Sequence, residues 1–484
     1  MTVDTVMSVQ KASAPFDDVG ADTVLRTSDG VDFYIYRIVL SLASPFFKSM
    51  FSLTQPSTSP GTTTSEEGYP IIDVQEASRT LDSLLRLCYP IPDPVIESME
   101  DIGDILEAAM KYEMEQPATL MKRLFRDHSD TQPLQAFTVA CRLNMEDEAE
   151  RAAKTWRLHR PLIPQPPIGS NGPIDWGHTV AGQSYIDSMS HISAGAYFRL
   201  LHYIRTGEPI KFCEPTFYPE EVLSPLPRTQ PTLLPDFDDP ADGVIRSSDG
   251  VDFPVHRSII SFASSLLRNG TDFPSSSKSL PTIQVDVHSA VLDIAIQLCY
   301  PLEDPAVTGP EVVIHLLRYA TLYNSRRAKD YVRRRLPTLA NVHPVRSFFI
   351  AAQQGWEAEA RIAVMRVLHS NVEMTYVREM EEVSAKMYSA LLRHHYECFR
   401  RVADIIYVSA GTTAYMPKNA PVAQLSEGYA RLAPAIYAPI VNHAVSILKS
   451  NPFHIHYNLD AMRNDSERNM EEIQAALAEV ALDI

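Results

Sequence analysis

The sequence predicts an α+β protein built from two related domains, each a short β-sheet flanked by helices and followed by an α-helical extension. The first observation behind this prediction is an internal repeat: residues 21–44 are identical to residues 241–264 at 14 of 24 positions. The second is a change of hydrophobic spacing within each copy, from steps of two residues to steps of three and four. That change is typical of strands followed by helices.

The repeat resumes further along the chain. The segment LCYPIPDP at 87–94 matches LCYPLEDP at 298–305, and a weaker similarity joins residues 185–201 to residues 376–392. The offset falls from 220 to 211 between the first two blocks because the first copy carries a longer Ser/Thr/Pro/Gly segment at 55–68. Insertions cost least in surface loops. The duplicated unit is therefore roughly 190 residues long.

Strand patterns open each copy. Residues 24–28 read as a strand, and residues 31–35 place an apolar side chain at every second position, as a half-buried strand does. Asp29-Gly30 predicts a tight turn between them, since glycine accepts a positive φ. In the second copy, Pro254 favours an edge position or a strand end because proline cannot donate to a sheet.

Helical patterns follow the strands. Apolar residues at three- and four-residue steps predict one amphipathic helix across 39–50. A short strand at 71–74 and a buried helix at 81–88 come next. Ser98, with Asp101 three residues later, resembles a capping box and opens a further helix.

This order of elements resembles the BTB/POZ domain. In the first copy the resemblance is carried by Asp22-x-Val24, by the strand pair with Asp29-Gly30, and by Arg37-x-x-Leu40-Ser41-x-Ala43-Ser44-Pro45-Phe46-Phe47-x-x-Met50-Phe51. The family usually has His-Arg where this copy has Tyr36-Arg37. The second copy keeps His256-Arg257 but has Ser265-Leu266-Leu267 in place of Pro-Phe-Phe. The tandem arrangement, with its YP-x-x-DP and SA-x-x-Y-x-x-LL blocks, is similar to fungal, basidiomycete-like BTB proteins.

The resemblance and the composition together predict how the chain divides. BTB proteins often carry helices after the domain, and proline-rich stretches act as extended spacers. The predicted segments are a flexible N-terminus at 1–15, BTB/POZ-like domain 1 at 16–115, helical extension 1 at 116–205 with a Pro-rich interruption at 160–175, a Pro-rich linker at 206–235, BTB/POZ-like domain 2 at 236–325, helical extension 2 at 326–410, and a C-terminal helical tail at 411–484.

The net charge of −17 limits the kinds of partner. A negative field repels phosphate backbones and anionic lipid, so neither nucleic acid nor membrane is expected as a partner. The five cysteines are scattered and odd in number, which favours a reducing compartment over a disulfide framework. No signal peptide and no apolar run of 18 residues is found. We therefore expect an intracellular protein of the cytoplasm, the nucleus or both.

Catalytic patterns are not found. The sequence has no phosphate-binding glycine loop, no nucleophile elbow and no kinase signature. His394, His395 and Cys398 form the nearest approach to a metal cluster, but structural zinc needs four ligands. Asp22 and Asp242 are expected to make turn and cap hydrogen bonds. No catalytic, cofactor or metal site is predicted, and we do not expect an enzyme.

The predicted function is a non-catalytic scaffold or adaptor that binds other proteins. Two homologous surfaces in one chain favour intramolecular pairing of the two copies, or a weak homodimer through the first. The resemblance also implies two alternatives, a substrate adaptor of a cullin-based ubiquitin ligase and a transcriptional co-regulator. A cullin is doubtful because Ser52-Leu53-Thr54-Gln55 lacks the hydrophobic-x-Glu element of cullin-binding members. The candidate interaction residues are Phe51 and Leu53, together with Met470, Ile473, Leu477 and Val480 of a short heptad pattern.

Overall fold

A computed structural model describes most of the chain and divides it into two compact units. Unit 1 holds the described residues of 1–161, 186–192 and 206–214, and unit 2 holds those of 162–185, 193–205 and 215–484. The described ranges are 9–18, 20–53, 69–161, 177, 179–215, 225–232, 240–265, 280–306, 310–368 and 370–409.

Unit 1 begins with a mixed four-stranded sheet. Its strands are β1 (Gln10–Lys11), β2 (Thr23–Arg26), β3 (Val31–Ile35) and β4 (Ile71–Asp73), in the order β1-β3-β2-β4. β2 and β3 form an antiparallel hairpin, and β1 and β4 add parallel strands on either side. Gly30 closes the hairpin turn with a φ of 80°, a conformation that glycine adopts at little cost. The strand β1 lies within the segment predicted to be flexible, where the main chain of residues 10–12 pairs with β3.

The strand β3 is buried on both faces, although its alternating sequence predicts one wet face. Asp32 is buried because its carboxylate receives two hydrogen bonds from Arg26, at 2.7 and 2.8 Å. Tyr34 is covered by the ring of Tyr69, with the two ring centroids 6.4 Å apart. The Lys11 ammonium also covers it, 4.1 Å from the centroid of the Tyr34 ring. The cross-strand ion pair stabilises Asp32 in a buried position, and the cation–π contact does the same for Tyr34.

Two helices replace the single helix predicted across 39–50. These are α1 (Arg37–Ala43) and α2 (Pro45–Ser52), and the chain is extended at Ser44 between them. The reason is that the residue before a proline avoids helical angles. The Ser44 hydroxyl accepts a hydrogen bond from the Phe47 N–H at 3.0 Å, so the break also caps α2.

Helices make up the rest of unit 1. Phe212, in the segment expected to be a spacer, is fully buried and packs edge-on against Phe137 with centroids 5.4 Å apart. The Glu146 carboxylate accepts hydrogen bonds from the N–H groups of Phe212 and Cys213 at 2.7 and 2.9 Å. The first part of that segment is therefore docked on unit 1. The helices are α3 (Ser78–Arg86), α4 (Met99–Lys111), α5 (Glu115–Ser129), α6 (Pro133–Arg142) and α7 (Glu146–His159).

Unit 2 repeats strands β2, β3 and β4 of unit 1 and the order of the helices around them, except that the counterpart of α2 falls outside the described residues. Its sheet has the order β6-β5-β7, and each residue pair in it matches a pair of unit 1 at the offsets read from the sequence. Its elements are α8 (Val180–Gln183), α9 (Ala194–Thr206), β5 (Gly243–Arg246), β6 (Asp252–Val255), α10 (Arg257–Ala263), β7 (Thr282–Gln284), α11 (Ser289–Gln297), α12 (Pro310–Leu322), α13 (Arg326–Leu339), α14 (Pro344–Gln353), α15 (Glu357–Val367) and α16 (Ala385–Ser409).

The hairpin aspartate caps the same helix in both units. The Asp29 carboxylate accepts from the N–H and hydroxyl of Ser78 at 3.0 and 2.6 Å, at the start of α3. The Asp249 carboxylate does the same for Ser289, at 2.8 and 2.6 Å, at the start of α11. A carboxylate at a helix N-terminus satisfies free N–H groups and complements the helix dipole.

Replacing Asp249 by alanine is expected to lower the free energy of unfolding of unit 2 by about 1–2 kcal/mol. Burial opposes ionisation of Asp249, but hydrogen bonds from Ser289 and Ser247 outweigh it and lower its pKa to about 2. A lowered pKa stabilises the fold above the ordinary aspartate pKa, so the effect should shrink as the pH falls towards 2. Chemical denaturation at several pH values measures this. Asp330→Ala, at an exposed position on α13, is the control, and an equal loss there would contradict the capping role.

Two further contacts recur at the start of the first helix of each sheet domain. Asp22 and Asp242 accept from the N–H groups that begin α1 and α10, at 2.8 and 2.7 Å. This confirms the predicted cap hydrogen bonds of these two aspartates. The hydroxyls of Tyr89 and Tyr300, in the repeated YP motif, accept from the N–H groups of Tyr36 and His256, at 3.0 Å each. The repeated sequence thus makes repeated contacts.

Within the part of the chain that the structure describes, no helix is both long enough and apolar enough to cross a membrane.

Candidate functional site

Three large apolar side chains lie exposed on the first helices of unit 1. Ile38 and Leu42, four residues apart on one side of α1, are 69% and 84% exposed, and Phe46 follows at the start of α2. The opposite side of these helices carries the buried Leu40 and Phe47. We call Ile38, Leu42 and Phe46 the α1 surface. Adjacent exposed apolar residues of this size mark contact sites for other proteins.

The predicted interaction residues Phe51 and Leu53 lie at the end of α2. Phe51 is half-buried, stacks on Phe47 with centroids 5.9 Å apart, and has the Arg37 guanidinium 5.5 Å from its ring. Leu53 follows the helix and is 68% exposed. Phe51 therefore supports α2, whereas Leu53 is available for contact. The other four predicted residues, Met470, Ile473, Leu477 and Val480, lie outside the described residues.

Unit 2 keeps only part of the α1 surface. Phe262, at the position of Leu42, is 88% exposed. Ser258 stands at the position of Ile38, and the position of Phe46 falls outside the described residues. The second unit therefore exposes one aromatic side chain on α10 where the first exposes an aliphatic pair.

A second kind of contact joins equivalent helices of the two copies within unit 2. Ser193 and Ser384, just before α9 and α16, form an antiparallel bridge. The rings of Tyr197 and Tyr388 meet edge-on with centroids 5.7 Å apart. These partners are the matched residues of the SA-x-x-Y repeat, so each residue faces its own counterpart. Such self-matching is the signature of a local two-fold relation.

The tyrosine hydroxyls of this pair also have matched partners. Tyr197 donates to the Ala181 carbonyl at 2.7 Å, and Tyr388 donates to the Val372 carbonyl at 3.1 Å. Both pairs are separated by the same number of residues in the sequence. The α9–α16 pairing is therefore a contact between like surfaces.

One ion pair breaks this symmetry. The Arg199 side chain is 1% exposed and forms a two-armed ion pair with Glu381, with a second nitrogen–oxygen distance of 3.3 Å. Glu381 also accepts from Ser193 at 2.9 Å and from Tyr376 at 2.7 Å. The counterparts of Arg199 and Glu381 in the other copy are an alanine and a serine, at 390 and 190. Only unlike copies can form this pair.

The surroundings of Glu381 keep it charged. Burial opposes its ionisation. The hydrogen bonds and positive charge of Arg199, together with the hydrogen bonds from Tyr376 and Ser193, outweigh burial and lower the pKa of Glu381. A Cβ atom on Gly195 would collide with this carboxylate, so glycine is what lets α9 approach it.

His394, Cys398 and His256 each contact a neighbouring side chain. The Cys398 sulfur lies 3.5 Å from His394 Nε2, and burial raises the Cys398 pKa to about 12, which keeps the thiol protonated. His256 contacts the Tyr300 hydroxyl at 3.0 Å through Nδ1, as a structural residue would. Among the described residues, no group of three or more His, Cys, Asp and Glu side chains is arranged to hold a metal.

Sequence reasoning did not single out the α1 surface or the Arg199–Glu381 pair. Ile38 and Leu42 lie outside the apolar stripe that the sequence predicts. Apolar residues on the predicted polar face of a helix are the sequence signal that could have indicated this exposed surface. The SA-x-x-Y repeat pointed to the helices that pair but not to the ion pair, because those two residues have no counterparts in the repeat.

Comparison with known proteins identifies the domain that carries the α1 surface. Residues 17–129 match the family model of the BTB/POZ domain. Unit 1 therefore contains a BTB/POZ domain, which includes the α1 surface, Phe51 and Leu53. Domains of this family generally act as protein–protein interaction modules. No curated protein matches the chain significantly.

Proposed function

We propose that this chain is a non-catalytic scaffold that binds other proteins through two BTB/POZ-like domains. The observation that carries this proposal is the α1 surface, an exposed apolar surface on an interaction domain. Burying about 300 Å² of apolar area contributes roughly 7 kcal/mol before ordering costs, which is enough for a weak, reversible contact.

The second copy is proposed from repeated structure. The strand order β6-β5-β7, its register and the caps by Asp242 and Asp249 reproduce the arrangement around β2. Because equivalent residues of the two units make equivalent contacts at constant offsets, this supports a tandem BTB/POZ protein. The sequence resembles fungal proteins of that kind. None of the five cysteines, all of which lie in the described ranges, is in a disulfide, which supports work in a reducing compartment, the cytoplasm or the nucleus.

The α9–α16 contact supports pairing of the two copies within one chain. The matched residues of the helical extensions face each other, and the Arg199–Glu381 pair favours unlike copies. Internal pairing occupies the extensions and leaves the α1 surface open. We therefore propose that self-association is weak and runs through the first copy.

A cullin adaptor is the alternative, and the exposure of Leu53 is the observation that favours it. Co-precipitation of a cullin by the full chain, lost in Leu53→Ala and kept in Leu158→Ala, would support this role. Leu158 is a matched control because it is also an exposed leucine of unit 1.

Leu42→Asp is expected to weaken self-association of the full chain by about tenfold or more, which corresponds to roughly 1.4 kcal/mol. The reason is that the change puts a charge in the centre of the apolar α1 surface. Sedimentation equilibrium between about 1 and 200 μM measures the dimer affinity across the range of weak protein contacts.

Phe262→Asp is the matched control for Leu42→Asp, since it places the same charge at the equivalent exposed position of the second copy. It should leave the dimer affinity unchanged. A wild-type chain that stays monomeric throughout, or that forms stable tetramers or filaments, would contradict self-association through the first copy.

A further inference from the structure

Unit 2 contains a cleft of about 460 Å³ between α12, α14 and the 3₁₀ turn Arg378–Glu381. Its accessible apolar wall includes Ile314, which is half-buried, and Leu322, which is 63% exposed. The basic side chains that line it are His315, Arg318, Arg346 and Arg378.

Two of these arginines have no acidic partner among the described residues. Arg346 is buried and forms an ion pair with Glu379 at 3.1 Å, and Glu382 accepts from Gln353. By contrast, none of the residues that the structure describes forms an ion pair with Arg318 or Arg378, which are both exposed at the cleft. The cleft lining holds three arginines against the two acids Glu379 and Glu382, so it keeps a net positive charge beside its apolar wall, on a chain whose net charge is −17.

The same place in unit 1 has the opposite charges and is closed by an ion pair. The counterparts of His315 and Arg318 are Asp104 and Glu107. Arg142 on α6 bridges these two acids, at 2.6 Å to Asp104 and 3.3 Å to Glu107. The second copy has Gln353 where the first has Arg142. The exchange of two acids and one base leaves unit 2 with bases that its own helices do not neutralise.

The size of one side chain accounts for the space. Gly103 on α4 lets Val139 approach so closely that a Cβ atom at 103 would lie 2.7 Å from it. The second copy has Ile314 in place of Gly103, and Ile350 in place of Val139. Two larger side chains cannot occupy the gap that a glycine leaves. Accordingly, α12 and α14 pack less closely on each other than α4 and α6 do.

We propose that this cleft binds an acidic peptide segment of a partner protein, with a carboxylate held by Arg318 and Arg378 and neighbouring apolar side chains on Ile314 and Leu322. The guanidinium fork matches a carboxylate in two-armed geometry. The negative net charge repels acidic ligands elsewhere on the chain, so binding is restricted to local positive sites. The site is separate from the α1 surface and does not require self-association.

A graft of the first copy tests the proposal. The triple variant His315→Asp/Arg318→Glu/Gln353→Arg recreates the bridged arrangement of unit 1. The probe is a fluorescein-labelled peptide of alternating glutamate and leucine, followed by fluorescence anisotropy with the full chain at low salt. We expect the graft to weaken binding by about tenfold or more, as loss of a charge-assisted contact does.

Two further variants keep the result interpretable. Arg378→Ala changes one exposed side chain and should weaken binding by about threefold or more even if the graft fails to fold. Arg326→Glu, at an exposed position on α13 outside the cleft, changes the net charge as much as the graft does and should leave binding unchanged.

Peptides in which phosphoserine replaces glutamate show whether the cleft prefers a phosphate or a carboxylate group. Tighter binding of the phosphorylated peptide, lost in the graft, would keep the cleft as an anion site and assign it to phosphate. Absence of binding by the wild type at about 1 mM peptide, or an equal loss in Arg326→Glu, would overturn the proposal.

Discussion

Replacing Glu381 by alanine is expected to lower the free energy of unfolding of unit 2 by about 3–5 kcal/mol, because it leaves a buried guanidinium without its carboxylate. Arg199 is almost wholly removed from solvent, and Glu381 is the acid that the structure pairs with it. Removing one partner of a buried pair costs more than the pair contributes, since the remaining charge cannot be hydrated.

The matched control for this variant is Glu373→Ala. Glu373 pairs with Arg205, also on α9, at 3.0 Å, but its side chain is about half exposed. An exposed pair contributes about 0–1 kcal/mol. The loss in free energy of unfolding, measured by urea denaturation, should therefore be several-fold larger for Glu381→Ala than for Glu373→Ala. Equal losses would show that Arg199 is hydrated in solution and would remove the basis for pairing of unlike copies.

The pH dependence of the same pair gives a second readout. The pKa of Glu381 is lowered in the fold, so its contribution is present above the ordinary glutamate pKa and is lost as the pH falls through the lowered value. The stability difference between wild type and Glu381→Gln should therefore shrink below about pH 4. A difference that is constant from neutral pH to pH 3 would contradict the ionised pair.

Phe212→Ala is expected to cost unit 1 about 3–5 kcal/mol, the usual cost of deleting a buried aromatic side chain. The ring fills a site against Phe137, and Glu146 holds the adjacent main chain. The segment that follows α9 would then detach from unit 1 and become open to proteases. Limited proteolysis and the unfolding transition of unit 1 measure both effects.

Lys211→Ala is the control for Phe212→Ala. Lys211 is the preceding residue, is exposed, and pairs at 3.4 Å with the exposed Glu214. It should change stability by less than about 0.5 kcal/mol. If Phe212→Ala were equally mild, residues 206–214 would behave as part of the free spacer predicted for 206–235.

Local patterns gave most of the secondary structure. The hairpin at Asp29-Gly30, the third strand and the helix after Ser98 follow from turn chemistry, alternation and capping, which depend on neighbouring residues. Periodicity alone predicts one helix across 39–50, whereas the break at Ser44 follows from the restriction that Pro45 places on the preceding residue.

Long-range contacts could not be read in this way. The burial of Asp32 depends on a cross-strand arginine, and the pairing of Arg199 with Glu381 depends on where two distant helices lie. Chain order assigns α9 to the first extension, whereas its contacts place it in unit 2. The cleft required comparison of Gly103 with Ile314 in the folded protein, since either residue alone is unremarkable in a helix.

The separation of α9 from α16 also affects how the chain is made. Arg199 and Glu381 are 182 positions apart. At ribosomal rates of about 5–20 residues per second, α9 leaves the exit tunnel roughly 10–40 s before its partner exists. During that interval Tyr197 and its apolar neighbours have no helix to cover them. We therefore expect chaperones that bind exposed apolar segments to hold the nascent chain until the second half is synthesised.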